Sequence, residues 1–308
     1  MRKQKGGIAF FDSGIGGLTV VNVCRKRLPD ELFYYFGDNK HAPYGNLQPE
    51  KIKKYVFRVF KSFKRLQVGA AVVACNTATA LCIDDLRKKF SFPIIGAEPA
   101  ILSAGQTVGE VFVLTTRATY ESERFKRLCE KMKSLFPLTT LRLFPCDCLA
   151  GEIEKHVLEA DFDYTAFLPK GNPDAVVLGC THYVYITDCV RNFYKCSVID
   201  GNRGIAGRLQ SILLQKKCSI EHSQPPSDHF QPFKNKKQPL EGENEKKKMR
   251  MTGEEKEKAE KHFRKVNKKR EKKPRKGQGD IIFLGRSKNA TKKYTNICSC
   301  DVLWSKVA

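Results

Sequence analysis

The sequence predicts an α/β fold built on parallel sheets, and three observations carry that expectation. Short apolar runs alternate with amphipathic stretches over the first 215 residues, as strands alternate with crossover helices. Two apolar runs, "AAVVACNTATA" (70–80) and "AVVLGCTHYVY" (175–185), end in a cysteine followed by amide or hydroxyl residues. These strand–Cys–Thr units stand 105 residues apart, a spacing that suits two similar α/β domains.

The elements follow in order. Residues 7–11 read as a strand, and "GIGGLTVVNVCRKRL" as a glycine-rich turn opening a helix. "ELFYYFGD" is the next strand. Over 49–66, apolar residues at 52, 56, 59, 60, 63 and 66 keep helical spacing. A strand ending at Cys75, a helix through Lys89 and the strand "PIIGAE" complete the first set. The second set opens at "GEVFVLTT". It continues with a helix over 119–135, the strand "LRLFPC", a helix over 152–158 and the strand ending at Cys180.

From Lys216 the character changes. "SQPPSDHFQPFKNKKQPLEGENE" is rich in proline and polar residues, as linkers are, and 244–276 is almost wholly charged. Glu254/Lys258, Glu257/Lys261 and Glu260/Arg264 have helix-supporting spacing. Few apolar residues accompany them, so the stretch reads as a solvated, partly helical or disordered insertion. Residues 281–284 regain a strand-like run. The expected domains are 1–98, completed by 201–217 and 280–308; 99–200; and a basic insertion, 218–279.

With 308 residues, 41% of them hydrophobic, the chain can bury a sizeable core. No apolar run approaches the ~20 residues that cross a bilayer. The start is basic (Arg2, Lys3, Lys5), but residues 8–11 are too short for a signal-peptide core and meet Asp12 at once. A cytoplasmic protein is expected, with its 12 scattered cysteines reduced. Cys146/Cys148 and Cys298/Cys300 are C-x-C pairs without the matching second half of a zinc site, so no metal is expected. The formal charge is +23, and residues 221–280 hold 19 Lys/Arg against 11 Asp/Glu. That balance favours acidic partners or weak, non-specific polyanion contact through 218–279. Phe263 stands nearly alone there, so a stacking platform for single strands is not indicated.

Ligands of open α/β sheets bind beyond the carboxyl ends of the strands. Four such ends carry reactive or anion-binding groups: "FFDSGIGG", "FGDNKHAPYG", "VACNTATA" and "LGCTHY". "DSGIGG" lacks the spacing of a Walker A loop or a dinucleotide fingerprint, which discounts ATP and NAD. Most free cysteines are core residues, and Cys24, Cys82, Cys129, Cys189 and Cys196 are read that way. Cys75 and Cys180 differ because each occupies a strand-to-helix junction. Backbone N–H groups there lower a thiol pKa and bind carboxylates, and Asn76, Thr77 and Thr181 extend such a cradle. His182, two residues after Cys180, is placed to tune proton transfer. Asp12 would serve Cys75 likewise if the first and third strand ends are neighbours.

Together "IAFFDSGIGGLTVV", "YFGDNKHAPYGNLQPEKI", "VVACNTATA" and "VVLGCTHY" resemble the signature motifs of the glutamate racemases, within the aspartate/glutamate racemase superfamily. Order and spacing match over about residues 7–215, and "VIDGNRGIAGRL" resembles the segment where the chain returns to its first domain. The resemblance implies two similar parallel-sheet α/β domains with the active site in the cleft between them, and racemisation without a cofactor. Cys180 would take the α-proton from L-glutamate and Cys75 from D-glutamate, assisted by His182 and Asp12 respectively. Ser13, Asn76, Thr77 and Thr181 would hold the α-carboxylate and ammonium, with Pro43, Tyr44 and Gly45 shaping the pocket. "VLTTRATYES" resembles the family's threonine-rich loop, bringing Thr116 and Thr119 to the substrate, and Glu154 in "LAGEIEKH" matches a family acidic position. Supply of D-glutamate for peptidoglycan and a homodimer are further implications.

Two departures stand beside these motifs. Val184 occupies a position where the family usually has proline. Asn39, Lys40 and His41 replace residues that are more often Thr, an aliphatic or Ala, and Arg. The alternatives are a racemase of aspartate or another amino acid, and a non-catalytic basic nucleic-acid-binding protein on this fold. Relatives that decarboxylate keep only one of the two cysteines, and both are present here.

Overall fold

The computed structural model describes residues 6–221, 281–284 and 302–305. Two compact units divide the chain: Met1–Ser211 with Arg275–Ala308, and Ile212–Pro274. Of the second, only the helical residues 212–221 are described. The expected basic insertion therefore lies outside the described residues from position 222 onward, as do Cys298 and Cys300.

In chain order, the elements begin β1 (Ile8–Asp12), α1 (Gly17–Arg27), β2 (Phe33–Gly37), α2 (Pro49–Arg65), β3 (Ala70–Val73), α3 (Asn76–Lys89) and β4 (Ile94–Gly96). Then come β5 (Gly109–Thr115), α4 (Arg117–Tyr120), α5 (Glu123–Leu135), β6 (Thr139–Pro145), α6 (Leu149–His156) and β7 (Ala175–Leu178). The last are α7 (Thr187–Tyr194), β8 (Ser197–Ile199), α8 (Asn202–Glu221), β9 (Ile281–Leu284) and β10 (Val302–Ser305). They make two parallel sheets, ordered β10-β9-β2-β1-β3-β4 and β6-β5-β7-β8. The expected strand at 281–284 is found, with Ile281 opposite Phe33 on β2.

Burial explains the strand sequences. β1, β3 and β7 are buried at every position, because helices cover both faces of a parallel sheet and leave no solvated side. In β5 the period of two is visible as two cores. Phe112 and Leu114 join Leu149, Ile153 and Tyr183, while Val111 and Val113 join Phe125, Met132 and Val177. On the first sheet, α2 starts with proline at its first position and buries Ile52, Val56, Val59, Phe60 and Phe63 along one stripe. Phe60 meets Phe63, Phe90 and Phe92 at ring separations of 5.2, 5.6 and 6.3 Å.

Some elements differ from the sequence expectation. The single helix over 119–135 is two, because Ser122 Oγ accepts the Phe125 N–H at 3.2 Å and caps a new start. The helix expected at 152–158 begins earlier, at Leu149, and ends at His156. The short α7, β8 and β10 lacked an apolar run long enough to read.

The site's frame follows from pairing. β1 lies between β2 and β3, with Phe11 opposite Val73. The Ala74 N–H donates to the Phe11 carbonyl at 2.8 Å. Asp12 and Cys75 therefore leave the same end of the sheet from adjacent strands, the condition under which Asp12 serves Cys75. Among the described residues, no helix is long and apolar enough to cross a membrane.

Candidate active site

Cys75 caps α3. It has extended backbone (φ −67°, ψ 120°), and its Sγ accepts the Ala78 N–H at 3.4 Å. Its thiol donates to Ser13 Oγ at 3.6 Å. Burial pushes the Cys75 thiol well above the ordinary range, and the Asp12 carboxylate pushes it further. The Cys180 sulfur adds to that field, so the two thiols sense each other although they end strands of different sheets.

Asp12 is fully buried. Its Oδ1 accepts the Gly14 N–H at 2.9 Å, and its Oδ2 accepts the Thr181 hydroxyl at 3.0 Å. Burial raises its pKa, with His182 acting in the opposite direction. Asp12 thus acts on Cys75 through its field, while Ser13 makes the hydrogen bond.

The Cys180 side is built around a buried imidazole. His182 Nδ1 lies 3.8 Å from Cys180 Sγ, and Nε2 lies 2.7 Å from Glu154 Oε2. Burial favours the neutral ring, but the hydrogen bonds to Cys180 and Glu154 outweigh it and hold the His182 pKa well above its usual value. An imidazolium with a donor on each nitrogen satisfies both partners. The same Glu154 oxygen accepts the Ile15 N–H at 3.2 Å, so one carboxylate ties the glycine loop of the first sheet to the imidazole of the second.

That loop explains its glycines by proximity. A Cβ on Gly14 would stand 2.5 Å from Glu154 Oε2, and one on Gly16 would stand 2.4 Å from Thr181 Oγ1 and 2.8 Å from the His182 backbone nitrogen. Two tyrosines clamp the loop: Tyr35 donates to the Gly14 carbonyl at 2.6 Å, and Tyr185 to the Ile15 carbonyl at 2.9 Å.

Three hydroxyls meet on the other side. Thr77 Oγ1 lies 2.9 Å from Thr116 Oγ1, which donates to Thr119 Oγ1 at 3.0 Å. Tyr44 is buried beside this cluster, and a Cβ on its neighbour Gly45 would stand 3.0 Å from Thr116 Cβ. Pro43 faces the start of α6, 3.9 Å from the Cβ position of Gly151. Asn76 lines a crevice with Leu178, Cys180, Thr181 and Asn202. Contacts thus join Asp12 to Thr181 and Cys180 to His182 and Glu154 on one side, and Thr77, Thr116 and Thr119 on the other. What sequence reasoning missed is the frame: Asp38, Tyr35, Tyr185 and Tyr183, whose hydroxyl lies 3.2 and 3.0 Å from the Thr115 and Cys146 carbonyls. Asp38 had one signal, a carboxylate directly after the strand "FYYFG".

A family model described as Asp/Glu/Hydantoin racemase matches residues 19–208. The chain is similar to a glutamate racemase of Clostridium perfringens, 37% identical over 229 residues, covering 70% of this chain and 85% of that one. Its fold is similar to a glutamate racemase isoform of Bacillus anthracis, with a TM-score of 0.68, 21% identity and coverage of 98% and 97%. It is also similar in fold to the Escherichia coli glutamate racemase in complex with L-glutamate and the activator UDP-MurNAc-Ala, with a TM-score of 0.67, 22% identity and coverage of 99% and 98%.

Proposed function

The chain belongs to the Asp/Glu/hydantoin racemase family, and on that premise we propose that it is a cofactor-independent glutamate racemase that inverts Cα with two cysteines. The observation that carries this reading is the pair of buried thiols, Cys75 and Cys180, at the carboxyl ends of strands from two different sheets. Inversion needs a base on one face of Cα and an acid on the other, and two opposed thiols supply both.

The two thiols have different surroundings. Cys75 is held as the thiol by burial and by Asp12. Cys180 Sγ lies 3.8 Å from His182 Nδ1, and Glu154 holds that ring from Nε2 at 2.7 Å. In the proposed reaction Cys180, as thiolate, removes the α-proton of L-glutamate, and the resulting carbanion takes a proton from the Cys75 thiol on the opposite face. The products are D-glutamate, a Cys180 thiol and a Cys75 thiolate. D-glutamate reacts with that second protonation state, and exchange with solvent resets the enzyme. The N-terminus of α3 and the Thr77, Thr116 and Thr119 hydroxyls are suited to a substrate carboxylate, with Asn76, Ser13 and Thr181 completing the cradle. Pro43, Tyr44 and Gly45 form its wall.

The strands favour the expected domain division, β1–β4, β9 and β10 to one domain and β5–β8 to the other. Peptidoglycan precursor supply in the cytoplasm, a homodimer, and weak polyanion contact through 218–279 complete the reading.

Incubation with L-glutamate in D₂O tests it. Ellipticity should decay and deuterium should enter Cα, and Cys75→Ser and Cys180→Ser should each abolish inversion. Reaction of aspartate alone would overturn the substrate; reaction of no amino acid would overturn the enzyme. Sedimentation velocity reads the dimer, and salt-dependent retention on DNA reads the polyanion contact.

A further inference from the structure

The loop after β2 carries a second polar chain that the two-thiol reading does not use. Asp38 follows the strand, and its Oδ2 accepts the Tyr44 hydroxyl at 2.6 Å. His41 Nδ1 stands 2.9 Å from both oxygens of the same carboxylate. Its ring stacks on Tyr55 of α2 at a centroid distance of 3.9 Å and an interplanar angle of 15°. The Asp38 N–H donates to the Asp12 carbonyl at 3.0 Å, so the chain is anchored where β1 ends.

Tyr44 is the member that faces the chemistry. It is 1% exposed, and the charges of Cys75 and Asp12 both act on its phenol. Its short turn, Tyr44–Asn46, packs against α3, which Cys75 caps, and against α4, which follows Thr116. A phenol donating to a carboxylate makes a strong, directional hydrogen bond. Its direction is only as fixed as the carboxylate, and both Asp38 oxygens are held by His41. The imidazole in turn is held flat by Tyr55.

We propose that Asp38 and His41 are positioning residues for the Cys75 half of the site: the pair orients the carboxylate that fixes the Tyr44 hydroxyl, and Tyr44 holds the wall against which Cys75 meets the substrate. The inference rests on the two-thiol reading and deepens it. Neither residue transfers a proton. Their loss would let the wall move while the Cys180–His182–Glu154 side stays intact.

The test is kinetic and uses the full-length protein. Racemisation has an equilibrium constant of one, so kcat/KM changes equally in both directions and cannot locate a lesion. Primary deuterium isotope effects can. In His41→Ala and Asp38→Asn, kcat/KM should fall between about tenfold and a hundredfold, the range of an ångström-scale misplacement. The isotope effect should rise with [2-²H]-D-glutamate, whose proton Cys75 takes, and fall with [2-²H]-L-glutamate. His41→Arg, which still offers donors to both carboxylate oxygens, should recover most of the rate. The Asp38→Asn/His41→Ala double variant should lose no more than Asp38→Asn alone.

Equal movement of the two isotope effects, additive losses in the double variant, or native rates in His41→Ala would overturn the proposal. A fold defect lowers only the fraction of active enzyme, which cancels from the ratio of protiated to deuterated rates, so it would leave both isotope effects at their native values. Failure of the underlying two-thiol reading has a different signature, turnover that survives Cys75→Ser and Cys180→Ser.

Discussion

Gly16→Ala isolates the close approach between the first sheet's loop and the Thr181–His182 segment of the second sheet. Gly16 has helical backbone (φ −54°, ψ −40°), so alanine meets no conformational penalty there. The whole effect is steric. The new Cβ would lie 2.8 Å from both the His182 backbone nitrogen and Nδ1, and 2.4 Å from Thr181 Oγ1. Restoring ordinary contact with the backbone nitrogen needs a separation of about 0.6 Å. The hydroxyl can turn away only by leaving Asp12 Oδ2. Overpacking of this kind costs about 1–3 kcal/mol. At about 2–4 °C per kcal/mol for a body of this size, Tm should fall by roughly 2–12 °C. A misplacement of this order at the proposed proton-transfer site should lower kcat by about tenfold to a hundredfold. Polarimetric racemisation and a thermal melt read both quantities. Gly204→Ala is the control: nothing lies within 4 Å of its Cβ position, so it should leave turnover unchanged and raise stability by about 0.4–1 kcal/mol. Native turnover in Gly16→Ala would refute the close approach and the geometry drawn from it.

Other outcomes follow from the same contacts. Glu154→Gln removes the charge that helps raise the His182 pKa, so an NMR titration should find the His182 ring deprotonating at lower pH than in the native protein. A pKa raised on folding contributes stability that is complete below the unfolded value, ~6.5, and is lost as pH rises through the folded value. The Tm deficit of Glu154→Gln should therefore be largest near pH 6 and shrink at alkaline pH; a deficit that grows with pH would contradict the assignment. Iodoacetamide at pH 8 should label exposed Cys148 before Cys75, whose buried thiol resists ionisation, as peptide mass mapping would record. Phe60→Ala, which empties the centre of the α2 aromatic cluster, should destabilise the fold by about 3–5 kcal/mol in urea denaturation.

The candidate site was legible in the sequence because it sits at strand ends, where apolar runs stop and polar groups begin. Cys75 and Cys180 could be singled out from other cysteines by the Asn, Thr and His that follow them. Their surroundings were less legible, since Tyr44, Tyr183 and Tyr185 look like ordinary core aromatics until their hydroxyl partners are known. The Glu154–His182 contact joins residues 28 apart, and the Asp12–Thr181 bond joins residues 169 apart. Such pairs depend on how two sheets face each other, which local patterning does not encode. The split at Ser122 is a capping effect. A serine within an apolar-periodic stretch reads as tolerated, yet its hydroxyl ends one helical segment by starting another.

The pairing of β9 with β2 has a consequence during synthesis. The outer edge of β2 carries Phe33, Tyr34 and Tyr35, and its partner strand is encoded some 240 residues downstream. At about 5–20 residues per second, a nascent chain would wait roughly 12–50 s between making that edge and making its cover. An apolar, unpaired parallel edge is a template for joining another chain. The second sheet is complete by residue 199 and can form in that interval, but the Cys75 sheet cannot close. Ribosome-bound intermediates halted before residue 281 should therefore need a chaperone on the β2 edge, even though both cysteines have already emerged.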